Sequence, residues 1–156
     1  MRTFLCVVGL LFSVLGYGQD PDYNYLVWAD EFDGNGAIDG VKWHHQTQLP
    51  NGGSWYNNEI QHYTNRIANA QVSNGSLKII AKKEIFTDQG VTKQFTSARL
   101  NSKFAFTYGK VEVRAKLPTG VGTWPAIWTL GTNIIEPGGF WSATNGTVSW
   151  PACGEI

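Results

Sequence analysis

Residues 108–118 read Tyr-Gly-Lys-Val-Glu-Val-Arg-Ala-Lys-Leu-Pro and alternate between two kinds of side chain. From Lys110 to Leu117 every odd-numbered position is apolar and every even-numbered position is charged. Side chains of a β-strand point alternately to its two faces, so this pattern predicts a strand with one apolar and one fully charged face. The charged face fits either a solvated outer strand with weak cross-strand ion pairs or a concave surface that holds a polar ligand.

Short apolar runs separated by turn signals continue on both sides of this strand. Asn74-Gly75 predicts a hairpin turn before the run that follows it, and the Gly- and Asn-rich residues 33–53 and 132–148 are predicted to be loops. The chain is therefore predicted to be all-β, with its strands packed into a sandwich. The predicted strands are Leu26–Phe32, Gln71–Val72, Ser76–Lys83, Phe95–Asn101, Phe104–Lys116 and Trp124–Leu130.

The first 18 residues have the pattern of an export signal. Arg2 supplies a positive start, residues 3–15 are mostly apolar, and small residues precede Gln19. A membrane anchor is the alternative, but the apolar run is shorter than the roughly 20 residues that a span requires. We therefore expect a secreted, periplasmic or extracellular protein with no membrane span after signal removal. Cys153 would then be its single cysteine in this chain, which excludes an internal disulfide.

Composition narrows the classes of partner. The formal net charge is zero and the basic residues form no run, so no nucleic-acid interaction is expected. Seven Trp, six Tyr and eight Phe in a chain that is only 15% charged fit either core packing or the stacking of sugar rings on exposed aromatics. The adjacent His44 and His45, and the pair Glu59 and His62, lack the spacing and cysteine partners of a zinc site.

Six stretches together resemble glycoside hydrolase family 16, and within it the laminarinase branch. They occur in the order expected for that family and extend over most of residues 19–156. The resemblance implies a β-jelly-roll (concanavalin-like) sandwich with the substrate lying across its concave sheet. The stretches are Trp-Ala-Asp-Glu-Phe-Asp-Gly at 28–34, Trp-Tyr-Asn-Asn-Glu-Ile-Gln-His-Tyr at 55–63, Ser-Ala-Arg-Leu at 97–100, residues 108–118 quoted above, Gly-Thr-Trp-Pro-Ala-Ile-Trp-Thr-Leu-Gly at 122–131, and Trp-Pro-Ala-Cys-Gly-Glu-Ile at 150–156.

The resemblance also implies roles for individual residues. One group would act on or bind the substrate, and a second pair would offer backbone oxygens to a structural calcium ion that some family members bind. No cofactor is required for the reaction itself. The implied roles are nucleophile for Glu155, hydrogen bonding to sugar for Glu112, Arg114 and Asn58, aromatic platform for Trp124 and Trp128, and calcium binding for Glu31 and Gly75.

The activity implied is cleavage of internal β-1,3-glucosidic bonds of laminarin-like β-glucans with retention of configuration. The family's acid/base glutamate lies five residues after the nucleophile. We therefore expect residues 19–156 to be the N-terminal part of one catalytic domain, incomplete at its C-terminus and inactive alone, from a protein that is a monomer. Two alternatives remain open: another family specificity, such as mixed-linkage glucan or a galactan, and a non-catalytic β-glucan-binding protein on the same fold.

Overall fold

The computed structural model describes residues 23–156, so the predicted export signal lies outside the described residues. Within that range the chain forms short strands and one short helix, which agrees with the all-β prediction. Their bounds are β1 Trp43–His45, β2 His62–Tyr63, β3 Ala70–Val72, β4 Leu77–Ile79, β5 Lys82–Asp88, β6 Val91–Ser97, β7 Leu100–Ser102 and α1 Ser142–Asn145.

The strands pair in three small sheets. The largest has the order β2-β6-β5, with β2 parallel to β6 and β5 antiparallel to β6. The other two are the antiparallel pairs β1-β7 and β3-β4. Backbone bonds join these sheets: the Thr64 N–H donates to the Ser97 carbonyl at 2.9 Å, and the Gln46 N–H donates to the Arg99 carbonyl at 3.0 Å. The segment from β6 to β7 is thus bonded both to Thr64, which follows β2, and to Gln46, which follows β1.

The hairpin turn predicted at Asn74-Gly75 is confirmed. Both residues have positive φ, 54° and 65°, and they connect β3 to β4 with Val72 opposite Leu77. Positive φ at both central positions is the geometry of a type I′ turn, for which Asn-Gly is favoured because Gly has no Cβ and Asn tolerates the left-handed region.

The apolar core lies against this hairpin and is small. Ile38, Ala70, Val72 and Ala98 are buried in it. Around them pack side chains that are only partly covered: Phe32, Trp43, Leu77 and Leu100. The fully buried side chains of the described residues are polar instead, which places hydrogen-bond networks at the centre of the sheets: Gln46, His62, Asn69 and Thr96.

Three of the predicted strands are wrong. In the described chain, residues 26–32 and 104–116 form no strand, and residues 124–130 contribute only a single bridge, from Leu130 to Glu155. Residues 110–117 do alternate between charged and apolar side chains. A strand, however, also requires a neighbouring strand that bonds to its backbone N–H and C=O groups. No such neighbour lies beside it in the described part of the chain, and residues 105–129 are exposed.

Other boundaries also differ from the prediction. The predicted strands 76–83 and 95–101 are each interrupted, and the longest hairpin, β5-β6, covers residues that the apolar pattern did not indicate. The loops predicted at 33–53 and 132–148 contain β1 and α1, respectively. In the described part of the chain, none of the helical segments has the length and apolar content that crossing a membrane would require.

Candidate active site

Glu155 lies on a short segment that pairs with residues 129–131. The Thr129 N–H donates to the Ile156 carbonyl at 2.8 Å, the Ile156 N–H returns a bond to the Thr129 carbonyl at 3.1 Å, and Glu155 faces Leu130 across this antiparallel bridge. Gly131 permits the close approach, because a Cβ there would lie 2.1 Å from the Cys153 carbonyl oxygen. Glu155, the predicted nucleophile, therefore lies opposite Leu130, which follows Trp128 by two positions in the sequence.

The Glu155 carboxylate accepts a hydrogen bond from Trp150. The Trp150 indole Nε1–H donates to Glu155 Oε2 at 2.5 Å, and both side chains are exposed. A hydrogen bond to an ionised carboxylate is stronger than one between neutral groups and fixes the direction of the oxygen that accepts it. The sequence motif includes Trp150, but nothing in its spacing indicated that it touches Glu155.

The two predicted aromatic platforms differ in their surroundings. Trp124 is 85% exposed, whereas Trp128 is 42% exposed and lies beneath the Arg99 guanidinium, whose central carbon is 5.0 Å from the ring centroid. The Arg99 guanidinium therefore covers a face of Trp128, and part of the ring remains exposed.

The three residues predicted to make polar contacts with sugar are exposed. Glu112 is exposed and pairs with Lys110 at 2.9 Å, while Arg114 is exposed in the same extended segment. Asn58 is exposed in a turn where its φ is 61°. The structure does not bring these three side chains into contact with Glu155, and their substrate roles remain predictions.

A cluster that the sequence analysis did not single out surrounds Arg99. Its guanidinium pairs with Glu136, its Nε donates to Gln46 Oε1 at 2.9 Å, and its carbon lies 5.5 Å from the Trp55 ring centroid. The Asn101 amide also donates to Gln46 Oε1 at 3.1 Å. Arg99 belongs to the Ser-Ala-Arg-Leu stretch at 97–100, and that motif is the one feature of the sequence that could have indicated its importance. Its partners lie up to 53 residues away in the sequence.

Glu59 and Tyr63 form a second polar group beside Trp55. The Tyr63 hydroxyl donates to Glu59 Oε2 at 2.6 Å, and the Gln61 amide donates to the same oxygen at 2.9 Å. The Tyr63 ring meets the edge of Trp55 with centroids 4.7 Å apart. Burial and the hydrogen bond to Glu59 raise the pKa of Tyr63, so its hydroxyl stays protonated and remains a donor at neutral pH.

One of the two calcium positions expected from the resemblance, Glu31, lies beside a cavity, and Gly75 is not among the residues that line it. Glu31 lines a cavity of about 420 Å³ together with Asp30, Asp33 and Val72. The Asp30 carboxylate is already bonded to the Trp43 indole at 2.7 Å and the Phe32 N–H at 3.1 Å. In the described part of the chain no three His, Cys, Asp or Glu side chains group as metal ligands. The calcium roles of Glu31 and Gly75 stay predictions.

Comparison with known proteins identifies the class of this chain. Residues 55–139 match glycosyl hydrolases family 16. The chain is 43% identical over 99% of its length to a beta-glucanase from Rhodothermus marinus. It is also 43% identical over 100% of its length to a glucan endo-1,3-beta-glucosidase from Cryptopygus antarcticus. The chain belongs to glycosyl hydrolases family 16. It spans about half the length of these relatives, 50% and 51%.

A solved structure confirms the fold. A variant of LamA from Zobellia galactanivorans, in complex with laminaritriose and laminaritetraose, superposes with a TM-score of 0.84 at 61% identity, over 86% of this chain and 54% of the other. The all-β jelly-roll prediction is therefore confirmed, although the strands of residues 104–130 do not form in the described chain.

Proposed function

We propose that the protein is a secreted endo-β-1,3-glucanase that cleaves laminarin-like β-glucans with retention of configuration. The relatives at 43% identity carry glucanase names, and the solved neighbour binds β-glucan oligosaccharides. The observation that carries the proposal is the position of Glu155, a carboxylate oriented by the Trp150 indole at 2.5 Å and bridged to the segment that presents Trp128. A carboxylate near an exposed indole supplies two of the parts that a retaining glycosidase uses, a nucleophile and a surface for a sugar ring.

The proposed first step is nucleophilic. The Glu155 carboxylate attacks the anomeric carbon, the bond to the leaving oxygen breaks, and that oxygen takes a proton from a second carboxyl group. In retaining enzymes the two carboxyl groups lie about 5–5.5 Å apart, and the resemblance assigns the acid role to a glutamate five residues after Glu155. Water then attacks the same anomeric carbon while the second group takes its proton, the bond to the Glu155 carboxylate breaks, and the sugar leaves with its original configuration.

Substrate binding is proposed to rely on stacking and on exposed polar groups. Trp128 and Trp124 would present indole faces to successive sugar rings, because the C–H face of a pyranose packs on an aromatic ring. Glu112, Arg114 and Asn58 are exposed, which leaves their polar atoms available to hydroxyl groups. Their positions on one cleft are part of the proposal.

Two further features are part of the proposal. Residues 1–18 are proposed to direct export, on the basis of their charge and apolar pattern. Glu31 and Gly75 are proposed to contribute main-chain oxygens to a structural calcium ion, with the cavity beside Glu31 as support. Neither is needed for the chemistry assigned to Glu155.

The test compares the full-length protein encoded by the source gene with its Glu155→Gln variant on laminarin, mixed-linkage glucan and a galactan. We expect release of reducing ends from laminarin by the wild type, with the β-anomer appearing first by NMR, and none by the variant. Because glutamine keeps the size of glutamate and one acceptor oxygen, the variant should still bind laminari-oligosaccharides. Binding without cleavage by the wild type would favour a glucan-binding protein, and cleavage of only the galactan would favour another specificity.

A further inference from the structure

Arg99 and Glu136 form the most deeply buried ion pair of the described residues. Their side chains are 13% and 8% exposed, whereas every other ion pair in this part of the chain includes a side chain at least 33% exposed. A buried guanidinium is costly unless its charge is neutralised and its N–H groups have acceptors. Glu136 supplies the charge, and Gln46 Oε1 accepts from Arg99 Nε at 2.9 Å.

The same guanidinium contacts two indole rings. Its central carbon is 5.5 Å from the Trp55 centroid and 5.0 Å from the Trp128 centroid, both inside the distance at which a cation is attracted by a ring face. Trp55 is buried, at 4% exposure, whereas Trp128 is 42% exposed. Arg99 therefore connects an indole fixed in the interior with an indole that faces solvent.

Trp128 lies directly before the segment that pairs with the chain around Glu155. The Thr129 N–H donates to the Ile156 carbonyl at 2.8 Å and the Ile156 N–H donates to the Thr129 carbonyl at 3.1 Å, whereas residue 128 itself belongs to no strand. The Arg99 guanidinium covers a face of the Trp128 ring. A guanidinium is suited to this task because it is planar and keeps its charge at all working pH values.

Glu136 connects this contact to the segment 132–148. The neighbouring carbonyls of that segment also accept bonds from the sheet: Pro137 O from Gln46 Nε2 at 2.9 Å, and Gly138 O contacts His44 Nε2 at 2.8 Å. The position of Glu136 is thus set by several bonds and not only by its charge. The geometry points to a rigid acidic partner that keeps Arg99 in place.

We propose that Arg99 is a positioning residue for the Trp128 platform, held by Glu136 and Gln46, and that it acts on sugar binding through Trp128. The inference rests on the proposed function, because it assumes that Trp128 receives a sugar ring. It assigns Arg99 no contact with the reacting atoms. Its loss should therefore change the binding of substrate and leave the chemical step nearly unaltered.

The kinetic test uses Arg99→Lys in the full-length protein, with laminari-oligosaccharides as substrate. Lysine keeps the charge but loses the planar fork, so we expect KM to rise about tenfold while kcat changes by less than about twofold. Trp128→Ala should raise KM to a similar extent. The double variant should be no worse than Trp128→Ala alone, because two residues that act through one contact are not additive.

Arg66→Lys is the matched control. Arg66 also pairs with a glutamate, Glu84, and lies over an aromatic ring, with its central carbon 4.4 Å from the Phe86 centroid. It makes the same two kinds of interaction in the β2-β6-β5 sheet, so Arg66→Lys should reduce thermal stability and leave KM unchanged. If Arg99→Lys does not fold, Glu136→Gln replaces it, because the isosteric change removes only the charge that holds the guanidinium.

A spectroscopic measurement separates this inference from the proposed function. In the protein labelled with ¹⁵N-tryptophan, Trp128→Phe identifies the indole resonance of Trp128. Arg99→Lys should shift that resonance and Arg66→Lys should not, whether or not the protein cleaves any glucan. An unmoved resonance, or KM losses for Arg99→Lys and Trp128→Ala that multiply in the double variant, would overturn the positioning role.

Discussion

At the scale of single residues, the proposed catalysis depends on how Glu155 is oriented. Its carboxylate is exposed and is bound by one indole N–H, that of Trp150. A nucleophilic carboxylate gains from a fixed direction, because productive attack requires the reacting atoms to be aligned before the reaction. The Trp150 contact is the feature of the structure that supplies this alignment.

Removing that hydrogen bond should slow the reaction. Trp150→Phe keeps an aromatic ring and loses the Nε1–H, so we expect kcat of the full-length protein to fall about three- to tenfold, the worth of one exposed hydrogen bond to a charged group. Trp124→Phe is the control, since the described structure gives its indole N–H no bond to Glu155 and its loss should affect KM more than kcat. Equal kcat for Trp150→Phe and the wild type would remove Trp150 from the alignment.

At the scale of elements, a polar network joins the strands of the β2-β6-β5 sheet. Thr96 on β6 is fully buried, and its hydroxyl bonds with Glu84, with Asn69 Nδ2 at 2.9 Å and with Arg66 at 3.2 Å. The Asn69 amide further donates to the Ile80 carbonyl at 3.0 Å, which connects this sheet to the β3-β4 hairpin. A buried network of this kind stabilises a fold only while each of its members has a partner.

Thr96→Val should therefore be much more destabilising than the small change in side-chain volume suggests. Valine has the shape of threonine but leaves the Asn69 amide and the Glu84 carboxylate without their hydroxyl partner, so we expect the free energy of unfolding to fall by about 1–3 kcal/mol. Thr92→Val in the same hairpin removes an exposed hydroxyl that contacts Thr87 at 2.8 Å and should change it by less than about 0.5 kcal/mol. Urea titration measures both, and equal effects of the two changes would show that the network contributes nothing.

The same network predicts how stability depends on pH. Bonds from the Thr96 hydroxyl and Arg66 hold the pKa of Glu84 below its usual value of 4.5. A carboxyl group with a lowered pKa in the folded state contributes stability that is present above pH 4.5 and is lost as the pH falls through the folded-state pKa. The melting temperature should fall more steeply below pH 4.5 for the wild type than for Glu84→Gln, and parallel curves would exclude Glu84 as a source of acid sensitivity.

The elements also show what the sequence could and could not predict. Asn74-Gly75 fixed its turn locally, because the required φ values depend on those two residues. The β5-β6 hairpin escaped prediction because its inward positions carry Glu84 and Lys93 where apolar residues were expected, and its turn at Gln89-Gly90 has positive φ at both positions without an Asn-Gly signature. The strand at 110–117 was predicted from alternation alone, which indicates two faces but not a partner.

The sequence likewise indicates some residues of the candidate active site but not their contacts. The motif stretches located Glu155 and Trp128, but the contacts of Arg99 with Gln46 and Glu136, 53 and 37 residues away, depend on the tertiary fold. Spacing along the chain carries no information about such pairs. The Trp150 bond escaped prediction for another reason: a separation of five residues in an irregular segment corresponds to no regular repeat.

At the scale of the whole molecule, the described residues expose a large apolar surface. Tyr108 is 93% exposed, Trp124 is 85% exposed, and Val111, Val113 and Leu117 are each more than half exposed in the same segment. Contiguous apolar surface of this extent favours association with other molecules. The exposed segment 105–129 is thus the part of the described chain most prone to self-association.

Residues 19–156 produced on their own are accordingly expected to bind the dye ANS strongly and to elute as oligomers in size-exclusion chromatography, because exposed apolar surface both binds the dye and favours association. A variant with Tyr108→Ser and Trp124→Ser should bind less dye, whereas Val41→Ser, an exposed apolar residue outside the segment, should bind as much as the parent. A monomer that unfolds cooperatively and ignores the dye would contradict this expectation.

The central claim is that Glu155 is the nucleophile, and covalent trapping tests it most directly. The full-length protein is incubated with a 2-deoxy-2-fluoro-β-laminaribiosyl fluoride, whose fluoride leaves readily while the fluorine at carbon 2 slows release of the glycosyl-enzyme. Peptide mass spectrometry should find one fluoroglycosyl group, attached to the Glu155 side chain and absent from the Glu155→Gln variant. Attachment to a different carboxylate, or cleavage of laminarin by the protein with no trapped adduct, would contradict the account.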